Sequence, residues 1–250
     1  MIQLTDLSKR YGTKQALAPL SLTLADHSFT CLVGKSGCGK TTLLRLLAGL
    51  ESKTTGEISG LPRRVAPVFQ EPRLMPWLTV AQNIAFAAKG DTTLWDGTPP
   101  AGTSSKAVAR HPKVAKLLDR LGLSGDENLY PAQLSGGMAQ RVSLGRTLFY
   151  NPDLILMDEP FSALDYFTRQ NLQRMLLRLF QTEQKTILFV THDVEEALLL
   201  GDRILVMDNG GLKADRPIDL PRPRKATDPA FQALRQQILE LLLADEALSI

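Results

Sequence analysis

Residues 29–42 read Phe29-Thr30-Cys31-Leu32-Val33-Gly34-Lys35-Ser36-Gly37-Cys38-Gly39-Lys40-Thr41-Thr42. An apolar run stops abruptly at Gly34, and from Lys40 onward apolar residues recur at helical spacing as Leu43, Leu44, Leu46 and Leu47. That is a strand, a glycine-rich loop and a helix in succession. The loop fits the phosphate-loop pattern G-x-x-x-x-G-K-[ST]. Glycines let the backbone bend until successive N–H groups point inward at phosphate oxygens, and the helix beginning at Lys40 adds the positive end of its dipole. In such a loop Lys40 bridges the β- and γ-phosphates and the Thr41 hydroxyl ligates Mg²⁺. The candidate phosphate-binding residues are therefore Gly34, Lys35, Ser36, Gly37, Cys38, Gly39, Lys40, Thr41 and Thr42. Cys38 has two readings: a thiol activated by the helix N-terminus, or a small residue tolerated where the backbone does the binding, and the second is favoured.

Working outward, Ile2 to Leu7 and Leu20 to Leu24 read as strands, and Val65 to Phe69 as a third short one. Helical readings suit Val80 to Lys89 and Val114 to Leu123. Between them, Gly90 to Ser105 has 11 Gly, Pro, Thr and Ser among its 16 residues, which predicts a solvated loop. Beyond Met138 the rhythm is strand and helix in turn: strands at Leu154 to Met157, Thr186 to Val190 and Ile204 to Met207, helices at Leu164 to Leu179 and Val194 to Leu200. Continuous apolar strands alternating with helices predict a parallel sheet covered by helices. Pro217, Pro221, Pro223 and Pro229 then punctuate a tail that ends in a helix from Phe231 to Leu243.

Composition sets outer limits. The chain has 250 residues, 44% hydrophobic and 22% charged, enough to bury a core without disulfides or metal staples. A net charge of +3 is far from that of a nucleic-acid-coating protein, so no nucleic-acid partner is expected. Two Cys and three His form no metal-spaced cluster, and His27 and His111 read as surface residues. The beginning of the sequence has no apolar signal core and no stretch is long enough to span a bilayer, which leads to the expectation of a cytosolic chain.

Two further stretches bear on chemistry. Leu154-Ile155-Leu156-Met157-Asp158-Glu159 is an apolar strand ending in two carboxylates; an Asp at the tip of a buried strand needs a cation, and Mg²⁺ beside the phosphate loop supplies one. Glu159, one residue on, is placed to polarise a water for attack on the γ-phosphate. Leu134-Ser135-Gly136-Gly137-Met138-Ala139-Gln140 pairs a good N-cap with two glycines at the start of an apolar helix. A hydroxyl, open amides and a helix N-terminus make a second anion receptor, distinct from the first.

These motifs together resemble the ATP-binding cassette family of ABC transporters. The resemblance extends in order through most of residues 2–210: Tyr11 matches the aromatic that stacks on adenine, and Gln70 the glutamine that contacts Mg²⁺ and senses the membrane subunit. Ser162-Ala163-Leu164-Asp165 matches the loop that crosses the dimer interface, and His192 the switch histidine at the γ-phosphate. It implies an α/β P-loop NTPase with a mostly parallel sheet, an N-terminal antiparallel β subdomain and a helical signature subdomain. The whole of 1–250 would be one ATPase domain, with the helical subdomain at about 72–150 and a C-terminal tail with a helix at about 217–250.

It further implies ATP as substrate and Mg²⁺ as cofactor, with catalysis by Glu159, His192, Lys40 and Gln70 and metal ligation by Thr41, Gln70 and Asp158. Nucleotide contacts would come from Tyr11, the phosphate loop, Gln70, Ser135, Gly136, Gly137, Asp165 and His192. Because two such cassettes associate head to tail, the second receptor would serve the partner's ATP. The implied assembly is a cassette dimer with integral membrane permease subunits and an extracytoplasmic solute-binding protein, peripheral on the cytoplasmic face of the inner membrane.

Within the family, Glu71-Pro72-Arg73-Leu74-Met75-Pro76-Trp77-Leu78-Thr79-Val80, Met138 and Asp219-Leu220-Pro221-Arg222-Pro223-Arg224 resemble importers of the nitrate, sulfonate, taurine and bicarbonate type, and the related pyrimidine importers share much of this pattern. Trp77 then either meets the permease's coupling helix or fills a buried turn. Two departures stand out: the loop Gly90 to Ser105 has no counterpart in that branch, and Gly145-Arg146-Thr147 stands where Ala-Arg-Ala is usual.

Overall fold

The structure is a computed structural model and describes residues 1–88, 92–95 and 104–243. Its strands are β1 (Ile2–Tyr11), β2 (Lys14–Leu24), β3 (Phe29–Gly34), β4 (Thr55–Ser59), β5 (Val65–Val68), β6 (Leu154–Asp158), β7 (Thr186–Val190), β8 (Arg203–Asp208) and β9 (Gly211–Pro217). Its helices are α1 (Lys40–Leu47), α2 (Val80–Ile84), α3 (Ser105–Arg110), α4 (Pro112–Arg120), α5 (Gly136–Tyr150), α6 (Tyr166–Glu183), α7 (Val194–Leu200) and α8 (Pro229–Leu243). The chain divides into two compact units: Met1–Val65 with Leu154–Glu159 and the residues from Phe180 onward, and Ala66–Asp153 with Pro160–Leu179.

In the first unit β1 pairs antiparallel with β2 on one side and β4 on the other. Gly12-Thr13 makes the two-residue turn of the β1–β2 hairpin, so Tyr11 and Lys14 stand opposite each other. A second sheet runs β6, β7, β3, β8, β9 across this unit, parallel from β6 to β8 with β9 antiparallel at its edge. Every residue of β3 and β7 is buried, which is why both read as nearly continuous apolar runs rather than as alternating strands. The Phe29 ring packs 5.4 Å from Phe180 and 5.8 Å from Phe189, centroid to centroid. Leu43 and Leu47 of α1 join Leu4, Leu7 and Leu17 of the hairpin and Leu156 of β6 in one apolar core. Packing therefore fixes the helix that opens with Lys40 between the two sheets.

The second unit is mostly helical. The helix expected over Val80 to Lys89 is α2 followed by a 3₁₀ turn, Ala85–Ala88. Thr79 caps α2 reciprocally with Gln82, accepting from its N–H while the Gln82 side chain accepts from the Thr79 N–H. Gly145 explains itself here: a Cβ on it would stand 2.7 Å from Leu121 Cδ1 and 3.1 Å from Ile84 Cγ1, so α5 closes on its neighbours where alanine is usual. Two expectations are corrected. Most of Gly90 to Ser105 lies outside the described residues, but within it Leu94 is buried and Trp95 packs edge-on to His111 at 4.5 Å and to Phe149 at 4.9 Å. His111 is therefore buried, not a surface residue, and its Nδ1 accepts from the Lys113 N–H at the start of α4.

Candidate nucleotide site

Gly34 ends β3 with Cys38 Sγ and the Met207 carbonyl where a side chain would go. Gly37 and Gly39 hold φ of +81° and +101°, a left-handed backbone that L side chains adopt only under strain. At Gly39 the demand is double, because a Cβ would also lie 2.6 Å from the Ala16 carbonyl of β2. The loop thus curls under the β1–β2 hairpin and delivers Lys40 to the first position of α1. Lys40 is buried, and its Nζ donates to the carbonyls of Gly34 (2.7 Å) and Lys35 (2.9 Å), the loop's own backbone. Cys38 is buried with Sγ 3.8 Å from Lys40 Nζ, which suits the small-residue reading better than an accessible reactive thiol.

Above the loop lies a cavity of about 390 Å³, within the range of small-molecule sites. Ser36, Gly37, Gly39, Lys40, Thr41 and Thr42 form its floor, Glu159 one flank, and Tyr11, Lys14 and Ala16 of the hairpin the far wall. Gly34, Lys35 and Cys38 shape the loop without lining this space. Tyr11 is 43% exposed and its ring carries Lys9 Nζ 4.8 Å from the centroid. Lys9 is itself held by Glu51 at 3.3 Å and by the Ser52 carbonyl at 2.6 Å, so the ring has a fixed cationic support.

Two carboxylates follow β6. Asp158 Oδ1 accepts from the Thr41 hydroxyl at 3.2 Å. Burial pushes the Asp158 carboxyl up, and neighbouring Glu159 adds to the rise, against the Thr41 hydrogen bond and the charges of Arg45 and Lys40. A half-buried carboxylate destabilised as an anion, with a hydroxyl oxygen beside it, is a hard-oxygen donor pair suited to Mg²⁺. Among the described residues no three His, Cys, Asp or Glu side chains gather.

Glu159 has φ of +45°, an uncommon conformation for a non-glycine residue that costs on the order of 1–3 kcal/mol. The Glu159 N–H donates to the Val190 carbonyl at 2.9 Å, and its Oε2 accepts from His192 Nδ1 at 2.9 Å. His192 is placed by β7 and by α7, whose N-cap Asp193 accepts from the N–H groups of Glu195 and Glu196. Carboxylate and imidazole thus form one hydrogen-bonded pair across the ends of two adjacent parallel strands.

The remaining candidates belong to the second unit. Ser135 caps α5, accepting from the Met138 N–H at 3.3 Å, and Ser135 and Gly136 are exposed. Gly137 is buried and a Cβ there would collide with Thr168 Cγ2, so packing on α6 also requires it. Asp165 accepts from the Thr168 N–H at 3.1 Å, and hydrogen bonds from the Thr168 side chain and backbone hold its carboxyl below the usual range. Gln70 is exposed and is not among the cavity's lining residues.

Trp77 is 69% exposed, which excludes the buried-turn reading. Its loop is firmly held. Buried Asn83 accepts from the Met75 N–H at 2.8 Å and donates to the carbonyls of Met75, Leu78 and Thr79, while Arg146 donates to the carbonyls of Pro72 and Arg73 at 2.9 Å each. Sequence reasoning missed Lys9, Lys14 and Ala16; the Gly12-Thr13 turn, which sets Lys14 opposite Tyr11, is the signal that carries two of them.

Comparison with known proteins gives consistent results. The ABC transporter family profile matches residues 17–162. Aliphatic sulfonates import ATP-binding protein SsuB 1 of Pseudomonas fluorescens is 45% identical over 236 residues, covering 94% of this chain and 84% of the relative. Aliphatic sulfonates import ATP-binding protein SsuB of Granulibacter bethesdensis is 41% identical over 249 residues, covering 100% and 97%. Among solved structures, the dimeric post-hydrolysis state of the ATP-binding cassette MJ0796 bound to ADP and Pi superposes with a TM-score of 0.73 at 28% identity, covering 88% of this chain and 100% of that one.

Proposed function

The chain belongs to the ABC transporter family, and on that premise we propose that it is the ATP-hydrolysing subunit of an importer for aliphatic sulfonates. That it is an ATPase follows from the family. The sulfonate substrate is carried over from the names of the relatives, which agree with the branch suggested by the Glu71 to Val80 stretch. The transported solute itself meets other polypeptides. Among the described residues no helix is long and apolar enough to cross a membrane, so the translocation path is assigned to permease subunits, with this chain docked peripherally on the cytoplasmic face of the inner membrane and a solute-binding protein acting outside.

The observation that carries the mechanism is the Glu159–His192 pair beside a cavity floored by the phosphate loop. Amides of the loop receive the phosphates, and Lys40 Nζ exchanges the Gly34 and Lys35 carbonyls for phosphate oxygens. Tyr11 takes the adenine on the ring face away from Lys9. Glu159 accepts the proton of the attacking water, and the imidazole of His192 holds that carboxylate in place. Thr41 and Asp158 would hold Mg²⁺, which when bound neutralises phosphate charge. Gln70, Ser135 to Gly137 and Asp165 carry the roles the resemblance implies, with Ser135 to Gly137 serving the ATP of a second copy.

The test is Glu159→Gln, which keeps the side chain's size while removing the base. At saturating ATP and Mg²⁺ the variant is expected to hydrolyse at least ~100-fold more slowly and to elute as a dimer in size-exclusion chromatography. A variant that stays monomeric with ATP bound would count against the shared-site reading.

A further inference from the structure

The β1–β2 hairpin places one cation in the cavity that the mechanism does not use. Tyr11 and Lys14 are directly paired across the hairpin, so their side chains project from the same face. Lys14 and Ala16, two residues apart on β2, share that face as well, and all three line the cavity. β2 is fixed against the phosphate loop: the Ala16 carbonyl occupies the space a Gly39 side chain would need, and the Ala18 N–H donates to the Gly210 carbonyl at 2.9 Å. The run from Lys14 to Ala16 therefore spans about 7 Å of the wall between the Tyr11 ring and the loop.

The cavity's lining has two lysines, Lys14 and Lys40, and one carboxylate, Glu159. Lys40 is bonded to the loop carbonyls and Glu159 to His192. Lys14 is exposed, and among the described residues nothing pairs or hydrogen-bonds with its ammonium. An ammonium on a four-carbon stem is a mobile point charge suited to a phosphate oxygen.

We propose that Lys14 is a nucleotide-binding residue that meets the α-phosphate of ATP, the charged group lying between an adenine at Tyr11 and the β- and γ-phosphates at the loop. This rests on the reading of the cavity as the ATP site with its base at Tyr11. Lys14 then contributes affinity common to every adenine nucleotide with an α-phosphate, and contributes nothing to the chemical step.

The experiment measures equilibrium binding of ATP and of ADP, each with Mg²⁺, to the full chain and to Lys14→Gln, Lys14→Arg and Lys40→Ala. Lys14→Gln is expected to weaken ATP and ADP by the same factor, about 3- to 10-fold. Lys14→Arg should stay within about 2-fold of the parent, because the charge is kept. The thermal midpoint without nucleotide should be unchanged in both. Unaltered binding by Lys14→Gln would overturn the proposal, and so would a loss confined to ATP, which would put the ammonium on the γ-phosphate. A failure of the underlying reading looks different: Lys40→Ala would then bind both nucleotides as the parent does, or the parent would bind neither.

Discussion

Two helix N-termini in this molecule are suited to receive phosphate, and they are built on opposite plans. At α1 the receiving loop is curled, its glycines are forced by backbone conformation and by the approach of β2, and its cation is buried on the loop's own carbonyls. A cavity flanked by Glu159 stands over it, and Asp158 accepts from the Thr41 hydroxyl in the first turn of α1. At α5 Ser135 and Gly136 are exposed, the capping hydroxyl already serves the Met138 N–H, and the guanidinium of Arg141 donates back to the Gly137 carbonyl. One terminus has its own counter-charge and enclosure; the other offers amides and a dipole, as the half-site proposed to serve a second copy would. This asymmetry is what a protein with one complete phosphate cradle and one borrowed half should look like.

The comparison is tested most severely at Lys40. Lys40→Ala removes the ammonium bonded to the Gly34 and Lys35 carbonyls, and steady-state ATPase assays should register a loss of at least ~100-fold in turnover. Because the lost bonds are to loop carbonyls and the rest of α1 stays packed, circular dichroism at 222 nm should remain that of the parent. Near-normal turnover would remove the chemical distinction between the two termini.

At the second terminus the two glycines should separate. Gly137→Ala meets Thr168 and is expected to lower stability by about 1–3 kcal/mol, read from urea unfolding. Gly136→Ala has only Leu164 Cδ2 near it, at 3.6 Å, so stability should change by less than about 0.5 kcal/mol while ATP-dependent dimerisation weakens. If both substitutions act alike on stability, packing rather than ligand access governs the whole Ser135 to Gly137 run.

The contrast between the two termini also marks how far the sequence could be read. β3 and β7 were legible because strands buried on both faces read as nearly continuous apolar runs. β4 and β9 were not: Thr-Gly-Glu-Ile-Ser and Gly-Leu-Lys-Ala-Asp-Arg-Pro are polar edge strands, β4 pairing with β1 far back in the sequence and β9 folding back on β8 through the Asn209-Gly210 turn. The loop motif gave the cradle of the site, since its chemistry is local. The hairpin wall stayed hidden, because Lys14 and Ala16 enter the cavity only through pairing with β1 and contact with Gly39. Burial of His111 likewise came from Trp95, inside a stretch whose composition argued for solvent.

Asp158 sharpens the account of the first terminus by a smaller amount. Its raised carboxyl means the folded chain binds that proton more tightly than the unfolded chain does. Its contribution to stability is therefore greatest at low pH and is lost as pH rises from the ordinary carboxylate range through the raised folded value. At pH 7 without metal, Asp158→Asn removes an anion that burial makes costly in place, so urea unfolding should show a rise in stability. Magnesium with ATP should stabilise the parent more than the variant, read as the shift in thermal midpoint. A variant stabilised equally by magnesium and ATP would take Asp158 out of the metal site.

The smallest effect on the fold is expected at Trp77, and there the second unit shows a third kind of surface. Its ring is 69% exposed, yet Asn83 and Arg146 bond the backbone on both sides of it. A large aromatic side chain held out toward solvent by a rigid loop is a common anchor of protein interfaces, where such residues carry much of the binding energy. Trp77→Ala should therefore change stability by less than about 0.5 kcal/mol and leave the ATPase activity of the isolated chain intact. In cells whose sulfur comes only from the proposed substrate, an aliphatic sulfonate, the same variant should slow uptake, because the proposed contact with the permease would lose its anchor. Uptake at the parental rate would assign the exposed ring no part in docking, and a fall in stability of 1 kcal/mol or more would mean that the loop depends on the ring it presents.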